Sequence, residues 1–139
     1  MLMALMIAQW PQGSTRVEFL LVFLGSGIGG MLRHGVSRTA LALFGPSFPY
    51  GTMAINIVGS FAMGIVAGWF TARGGADQSL RLFLTTGVIG GFTTYSTFSL
   101  DYAFLWKGGH ALSAILYVSG SLVIGIGALF VGLVLARFL

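Results

Sequence analysis

The chain has 139 residues, of which 56% are hydrophobic and only 7% are charged, and its mean hydropathy is +0.94. Soluble domains are about 25% charged, so this composition excludes a soluble globular protein and predicts about four membrane spans of roughly 20 residues each. The absence of cysteine excludes disulfides and thiolate chemistry. The net charge is +4, but the basic residues are spread along the chain and form no cluster that would bind nucleic acid.

The first 16 residues are predicted to form an N-terminal extension, followed by a single four-helix transmembrane domain over residues 17–139. The extension is apolar at first and then contains Pro11 and Gly13. It lacks the positively charged start of a signal peptide. No function is predicted for it.

The first predicted span covers about residues 17–44 and contains the run Gly25-Ser26-Gly27-Ile28-Gly29-Gly30. This run has the spacing of a dinucleotide-binding fingerprint, but that motif requires a preceding strand in a βαβ unit, which a membrane helix does not provide. Because Gly25 and Gly29 are four residues apart, they instead predict a face on which another helix packs closely.

The second predicted span, about residues 50–71, carries Thr52, Asn56 and Ser60 at intervals of four, so these polar residues share one helical face. A carboxamide in mid-membrane is costly unless it is satisfied. Asn56 therefore has two interpretations that spacing does not separate: it faces a water-filled path, or it clasps a neighbouring helix. Small residues continue the face beyond Ser60 and favour tight packing.

The third predicted span, about residues 80–106, is interrupted by the stretch Gly90–Asp101. This stretch contains two glycines, three threonines, two serines and three aromatic rings. A glycine pair followed by β-branched and hydroxyl residues disfavours a continuous helix. In hydrocarbon the freed backbone groups need partners inside the protein, so a break there predicts a cavity lining or an ion site.

The fourth predicted span, about residues 111–138, carries Ser113, Tyr117 and Ser121, again at intervals of four. Polar faces on three apolar helices predict a shared hydrated or ion-lined path.

The only acidic residues are Glu18, Asp77 and Asp101, so acid–base catalysis is not expected and the chain is predicted not to be an enzyme. A path poor in carboxylates favours an anion over a cation.

Three runs resemble the motifs of the Fluc/CrcB family of fluoride channels, in the same order and with the same spacing, over about residues 18–139. They are Gly29-Gly30-Met31-Leu32-Arg33 in the first span, Gly51-Thr52-Met53-Ala54-Ile55-Asn56-Ile57-Val58-Gly59 in the second, and Gly90-Gly91-Phe92-Thr93-Thr94-Tyr95-Ser96-Thr97-Phe98-Ser99 in the third. The resemblance implies an all-α membrane protein with four transmembrane helices per subunit, the third broken, that forms an antiparallel, dual-topology homodimer.

The resemblance also implies the function: passive export of fluoride across the cell inner membrane, which reduces its toxicity. The fluoride path that the resemblance implies passes the family's asparagine, an aromatic pair and a track of hydroxyls. Arg33 is expected to be a structural residue near a pore mouth. The residues on that path are Asn56, Tyr95, Phe98, Thr52, Thr94, Ser96, Tyr117 and Ser121. A structural sodium ion is implied at the dimer centre, bound by the backbone carbonyls of Gly90 and Thr93.

The sequence departs from the family pattern at two positions. The first aromatic of the pair is commonly phenylalanine but is Tyr95 here, and a buried tyrosine hydroxyl needs a partner. Gly125, one turn past Ser121, lacks a hydroxyl that some relatives carry. The resemblance therefore implies a path role more directly for Phe98 than for Tyr95, and the hydroxyl track is expected to end early.

Orientation is weakly specified, because Arg16, Arg73, Arg81 and Arg137 fall on one side and Arg38 and Lys107 on the other. Such a chain is expected to insert both ways round. The alternative function is a proton-coupled small multidrug transporter, although that class needs an acidic residue in the middle of its first helix. A non-conducting anchor subunit is a third interpretation, which leaves Asn56 without a purpose.

Overall fold

The computed structural model describes residues 15–73 and 77–139, and these residues form helices and short turns with no strand among them. The predicted N-terminal extension lies almost entirely outside the described residues. The elements in chain order are α1 Thr15–Phe44, α2 Tyr50–Ala72, α3 Gln78–Leu82, a π-helix Phe83–Ile89, α4 Gly90–Phe92, α5 Tyr95–Lys107, α6 Ala111–Leu135 and a 3₁₀ turn Ala136–Phe138.

Three helices in the described part of the chain are long and apolar enough to cross a membrane. They cover Arg16–Phe44, Tyr50–Ala72 and Ala111–Phe138. The first, second and fourth predicted spans are therefore confirmed as single helices. The remaining predicted span is not one helix but a series of short segments, α3 to α5, which we call the third span.

The third span breaks at its threonines rather than at its glycine pair. Gly90 and Gly91 remain helical, whereas Thr93 (φ −76°, ψ 158°) and Thr94 (φ −152°, ψ 120°) are extended. Thr94 then caps α5, since its hydroxyl accepts a hydrogen bond from the Thr97 amide. The predicted interruption is therefore present, and a threonine cap, which favours extended backbone before a new helix, positions it.

The glycines of α1 allow the third span to approach closely. A Cβ atom at Gly25 would lie 2.8 Å from the Gly87 Cα and from the Phe83 carbonyl oxygen, and one at Gly29 would overlap the Val88 carbonyl. On the facing side, a Cβ atom at Gly91 would lie 2.7 Å from the Ser26 carbonyl oxygen. Gly25 and Gly29 thus form a packing face of α1, as their four-residue spacing predicted.

Helices α2 and α6 run parallel and pack along most of their length. Gly64 lies against the Leu129 backbone, and a Cβ atom at Gly68 would lie 2.6 Å from the Ala136 Cβ. Gly132 in turn lies against the Phe61 carbonyl. This register brings the polar face of α2 alongside that of α6.

Candidate functional site

Asn56 joins α2 to the break in the third span. Its Nδ2 donates to the Thr94 carbonyl oxygen at 3.0 Å, and its Oδ1 accepts from the Thr94 amide at 2.9 Å. Directly beside it, Gly59 leaves room for the Thr93 methyl group. Of the two interpretations of Asn56, the structure shows the clasp. One N–H of the carboxamide is left over, because the clasp uses only one of its two hydrogens.

The Asn56 clasp and the Thr94 cap each free one backbone carbonyl at the break. In a continuous helix the Thr94 amide would donate to Gly90 and the Thr97 amide to Thr93. Here the first amide donates to Asn56 Oδ1 and the second to the Thr94 hydroxyl. The carbonyl oxygens of Gly90 and Thr93 therefore lose their helical donors, and neutral oxygens of this kind suit a hard cation such as sodium.

A groove of about 350 Å³ runs beside the break, between α2, α6 and the third span. None of its lining residues in the described chain is charged. Five residues of the predicted path line it, and Ser60, which is not on the predicted path, lines it as well. Those five are Asn56, Thr94, Tyr95, Phe98 and Ser121.

The aromatic rings of the predicted path form a continuous row. The ring centroids of Tyr95 and Phe98 are 5.9 Å apart, and those of Phe98 and Tyr117 are 5.0 Å apart. The rings of Tyr117 and Phe48 are perpendicular, with centroids 5.7 Å apart. Ring edges carry partial positive charge, so such a row offers weak electropositive contacts without a formal cation.

A second cavity of about 540 Å³ is lined in part by Thr52, Thr97, Asp101 and His110. The Tyr117 side chain is fully buried, and its hydroxyl donates to Asp101 Oδ2 at 3.2 Å. Thr52, also buried, faces the same hydroxyl. The structure therefore separates the predicted path into groove residues and a Thr52–Tyr117 pair at its far end.

Two predicted residues lie away from the groove. Ser96 is exposed, and its hydroxyl lies 3.4 Å from the Thr94 hydroxyl without lining the groove. Arg33 is half-buried on α1 and lines neither of the two cavities.

Sequence reasoning missed Asp101, because it treated the chain's few acidic residues only as candidates for catalysis. A signal was present, since Asp101 lies three residues after Phe98 and faces the same helical side. An ionisable residue within a membrane span is by default a functional candidate. Its bond to Tyr117 identifies the partner that the sequence left unnamed.

The chain matches the family model described as "CrcB-like protein, Camphor Resistance (CrcB)" over residues 20–133. The chain belongs to the CrcB-like family. The match covers the second and third predicted spans completely and all but the outer ends of the first and fourth. The family resemblance inferred from the three sequence motifs is thus confirmed.

Curated members of this family are similar over most of their length. The chain is 56% identical to "Fluoride-specific ion channel FluC" of Methylobacterium sp. (strain 4-46) over 118 residues, which are 85% of this chain and 94% of that protein. It is 54% identical over 122 residues to the protein of the same name from Mesorhizobium japonicum, covering 88% and 98%. For the Rhodopseudomonas palustris (strain BisB5) protein, also of that name, identity is 50% over 121 residues, covering 87% and 98%.

These names describe ion channels, which agrees with the prediction that this family member is not an enzyme. Together with the three membrane-length helices, they identify a membrane protein.

Proposed function

We propose that this chain forms a fluoride-selective channel that exports fluoride passively from the cytoplasm across the cell inner membrane and so reduces its toxicity. The observation that carries the proposal is the identity of 50–56% to relatives named fluoride-specific ion channels, over nearly their whole length. The uncharged groove beside the break also supports it, because neutral hydrogen-bond donors can bind a small anion without holding it tightly.

Such a groove suits the binding and release of a small anion. The remaining N–H of Asn56 and the hydroxyl of Ser121 are donors that replace part of the water around the ion. The edges of Tyr95 and Phe98 add weak electropositive contacts. Because none of these groups carries a full positive charge, binding stays weak enough for the ion to leave, as conduction requires.

From the groove, the proposed path continues past Tyr117 to the second cavity. There the Thr52 and Tyr117 hydroxyls face one another beside Asp101. Asp101 accepts a hydrogen bond from the Tyr117 hydroxyl, so the carboxylate fixes the orientation of that hydroxyl. In this proposal Asp101 is a positioning residue, and Arg33 stays a structural residue outside the path.

The complete path requires a second copy in antiparallel orientation. Tyr95 lies in the third span with 80% of its side chain exposed, and its hydroxyl has no hydrogen bond within the described residues. A phenol at membrane depth needs a polar partner. A second copy that covers the open groove supplies that partner and closes the path.

Antiparallel pairing predicts that each end of the chain is found on both sides of the membrane. Because the chain contains no cysteine, a single cysteine introduced by Leu139→Cys can be labelled without background. In intact cells about half of the chains should react with a membrane-impermeant thiol reagent, and the remainder should react after permeabilisation. Labelling that is complete or absent before permeabilisation would contradict dual insertion.

A structural sodium ion at the centre of that dimer is the second component of the proposal. The carbonyls of Gly90 and Thr93 would hold it, since both lack their helical donors at the break. Two copies related by a twofold axis would supply four such oxygens. The ion would hold the two breaks together.

The proposed function is tested by anion efflux from liposomes that contain the purified protein. With a potassium ionophore to balance charge, fluoride should leave rapidly, chloride should be retained, and a pH gradient should have no effect. With sodium replaced on both sides by N-methyl-D-glucamine, fluoride efflux should fall. If fluoride is retained in sodium buffer, the channel proposal fails; efflux that requires a pH gradient points instead to a coupled transporter.

A further inference from the structure

The side-chain hydroxyls on the helices fall into two groups according to their hydrogen bonds. Five of them donate to the carbonyl oxygen four residues earlier, at 2.8–3.0 Å, which satisfies a hydroxyl within its own helix. This group comprises Thr71, Thr85, Thr93, Ser99 and Ser119. A hydroxyl without such a bond remains free to bind something else.

Ser60 and Ser121 belong to the second group, and both line the groove. The Ser121 hydroxyl is buried without a hydrogen-bond partner. The Ser60 hydroxyl has no hydrogen bond within residues 15–73 and 77–139 either, although the side chain is half-buried. Unsatisfied hydroxyls are costly at membrane depth, so two of them on one groove indicate that the groove takes a polar occupant.

Ser60 lies opposite the position where the hydroxyl track of α6 is interrupted. Along α6, Tyr117 and Ser121 are followed one turn later by Gly125. A Cβ atom at Gly125 would lie 3.7 Å from the Ser60 Oγ, and no atom of another described helix lies closer to it. The α2 hydroxyl therefore borders the space that an α6 side chain at position 125 would enter, at van der Waals distance.

We propose that Ser60 is a fluoride-binding residue that replaces the missing hydroxyl at Gly125. On this proposal, the path runs from Asn56 and Ser121 to Ser60, one turn further along α2, instead of ending at Ser121. The ion is passed from a donor on α6 to a donor on α2. This inference rests on the proposed fluoride function and adds a binding residue to the same groove.

Replacement and relocation of the hydroxyl test this proposal in the liposome assay. Ser60→Ala should lower the rate of fluoride efflux about tenfold or more, because hydrogen bonds to a charged group are worth more than neutral ones. Adding Gly125→Ser should restore most of the rate, since it returns a hydroxyl to the same space from the other helix. Ser119→Ala is the matched control and should keep the wild-type rate, because that hydroxyl is exposed and satisfied by Ile115.

A second pair of variants distinguishes loss of the hydroxyl from loss of assembly. Ser60→Thr keeps the hydroxyl and Ser60→Val has nearly the same shape without it, so the threonine variant should conduct faster than the valine variant. Equal rates for Ser60→Ala and wild type, or for the threonine and valine variants, would overturn the proposal. So would a slow Ser60→Ala that an assembled double variant does not rescue. Failure of wild type to conduct is a different result, because it removes the channel function itself.

Discussion

Replacing Asn56 with aspartate is expected to abolish fluoride efflux, with a rate at least about 100-fold below wild type, or roughly 3 kcal/mol. Aspartate keeps an acceptor for the Thr94 amide but loses the Nδ2 donor that now binds the Thr94 carbonyl at 3.0 Å. The carboxylate and that carbonyl then face one another without a proton between them. In addition, a negative charge occupies the groove through which an anion is proposed to pass. The measurement is fluoride efflux from liposomes at neutral pH.

Asn56→Ala separates the loss of the clasp from the added charge. It removes both hydrogen bonds to Thr94 but introduces no charge, so it should conduct less than wild type and more than Asn56→Asp. Size-exclusion chromatography before reconstitution shows whether each variant is assembled. Undiminished efflux in assembled Asn56→Asp would mean that Asn56 only clasps the break and lies outside the path.

Gly29→Val is expected to have the largest effect on assembly of any substitution considered. The Cβ atom alone would overlap the Val88 carbonyl and lie 2.7 Å from the Phe92 amide nitrogen. These are backbone atoms, so they move only if α1 separates from the third span. Overpacking typically costs about 1–3 kcal/mol and more where backbone must shift. We expect a thermal midpoint at least about 10 °C lower in detergent, or no folded protein.

Gly27→Val is the matched control, because it places the same side chain two residues earlier on the same helix. No described atom of another helix lies within 4 Å of a Cβ atom at Gly27. Its thermal midpoint should stay close to that of wild type. Similar midpoints for the two valine variants would argue against the close contact between α1 and the third span.

Much of the fold follows from local properties of the chain. Long apolar segments have few alternatives to helix in a membrane, since every backbone group must be paired within the segment. The bounds of α1, α2 and α6 are therefore close to the predicted bounds. The glycine face at Gly25 and Gly29 was also predicted, because four-residue spacing alone places both on one side of a helix.

The third span shows where local reasoning stops. Composition predicted an interruption near the glycine pair, but the structure keeps Gly90 and Gly91 helical and extends the two threonines after them. The reason is tertiary. Gly91 lies against the α1 backbone at Ser26, and Asn56 bonds the extended Thr94 backbone from another helix. Neither contact can be read from the third span itself.

The sequence by itself determined the membrane class, the three helices of membrane length, the packing face of α1 and, through three motifs, the family. Tertiary structure alone decided that Asn56 clasps the break, that Asp101 bonds Tyr117, and that Ser60 faces Gly125. Hydrophobic length and residue spacing are properties of single segments, so they can be predicted from the sequence of each segment alone. Which polar atoms meet depends on the register between helices, and that register is set by where the glycines let backbones touch.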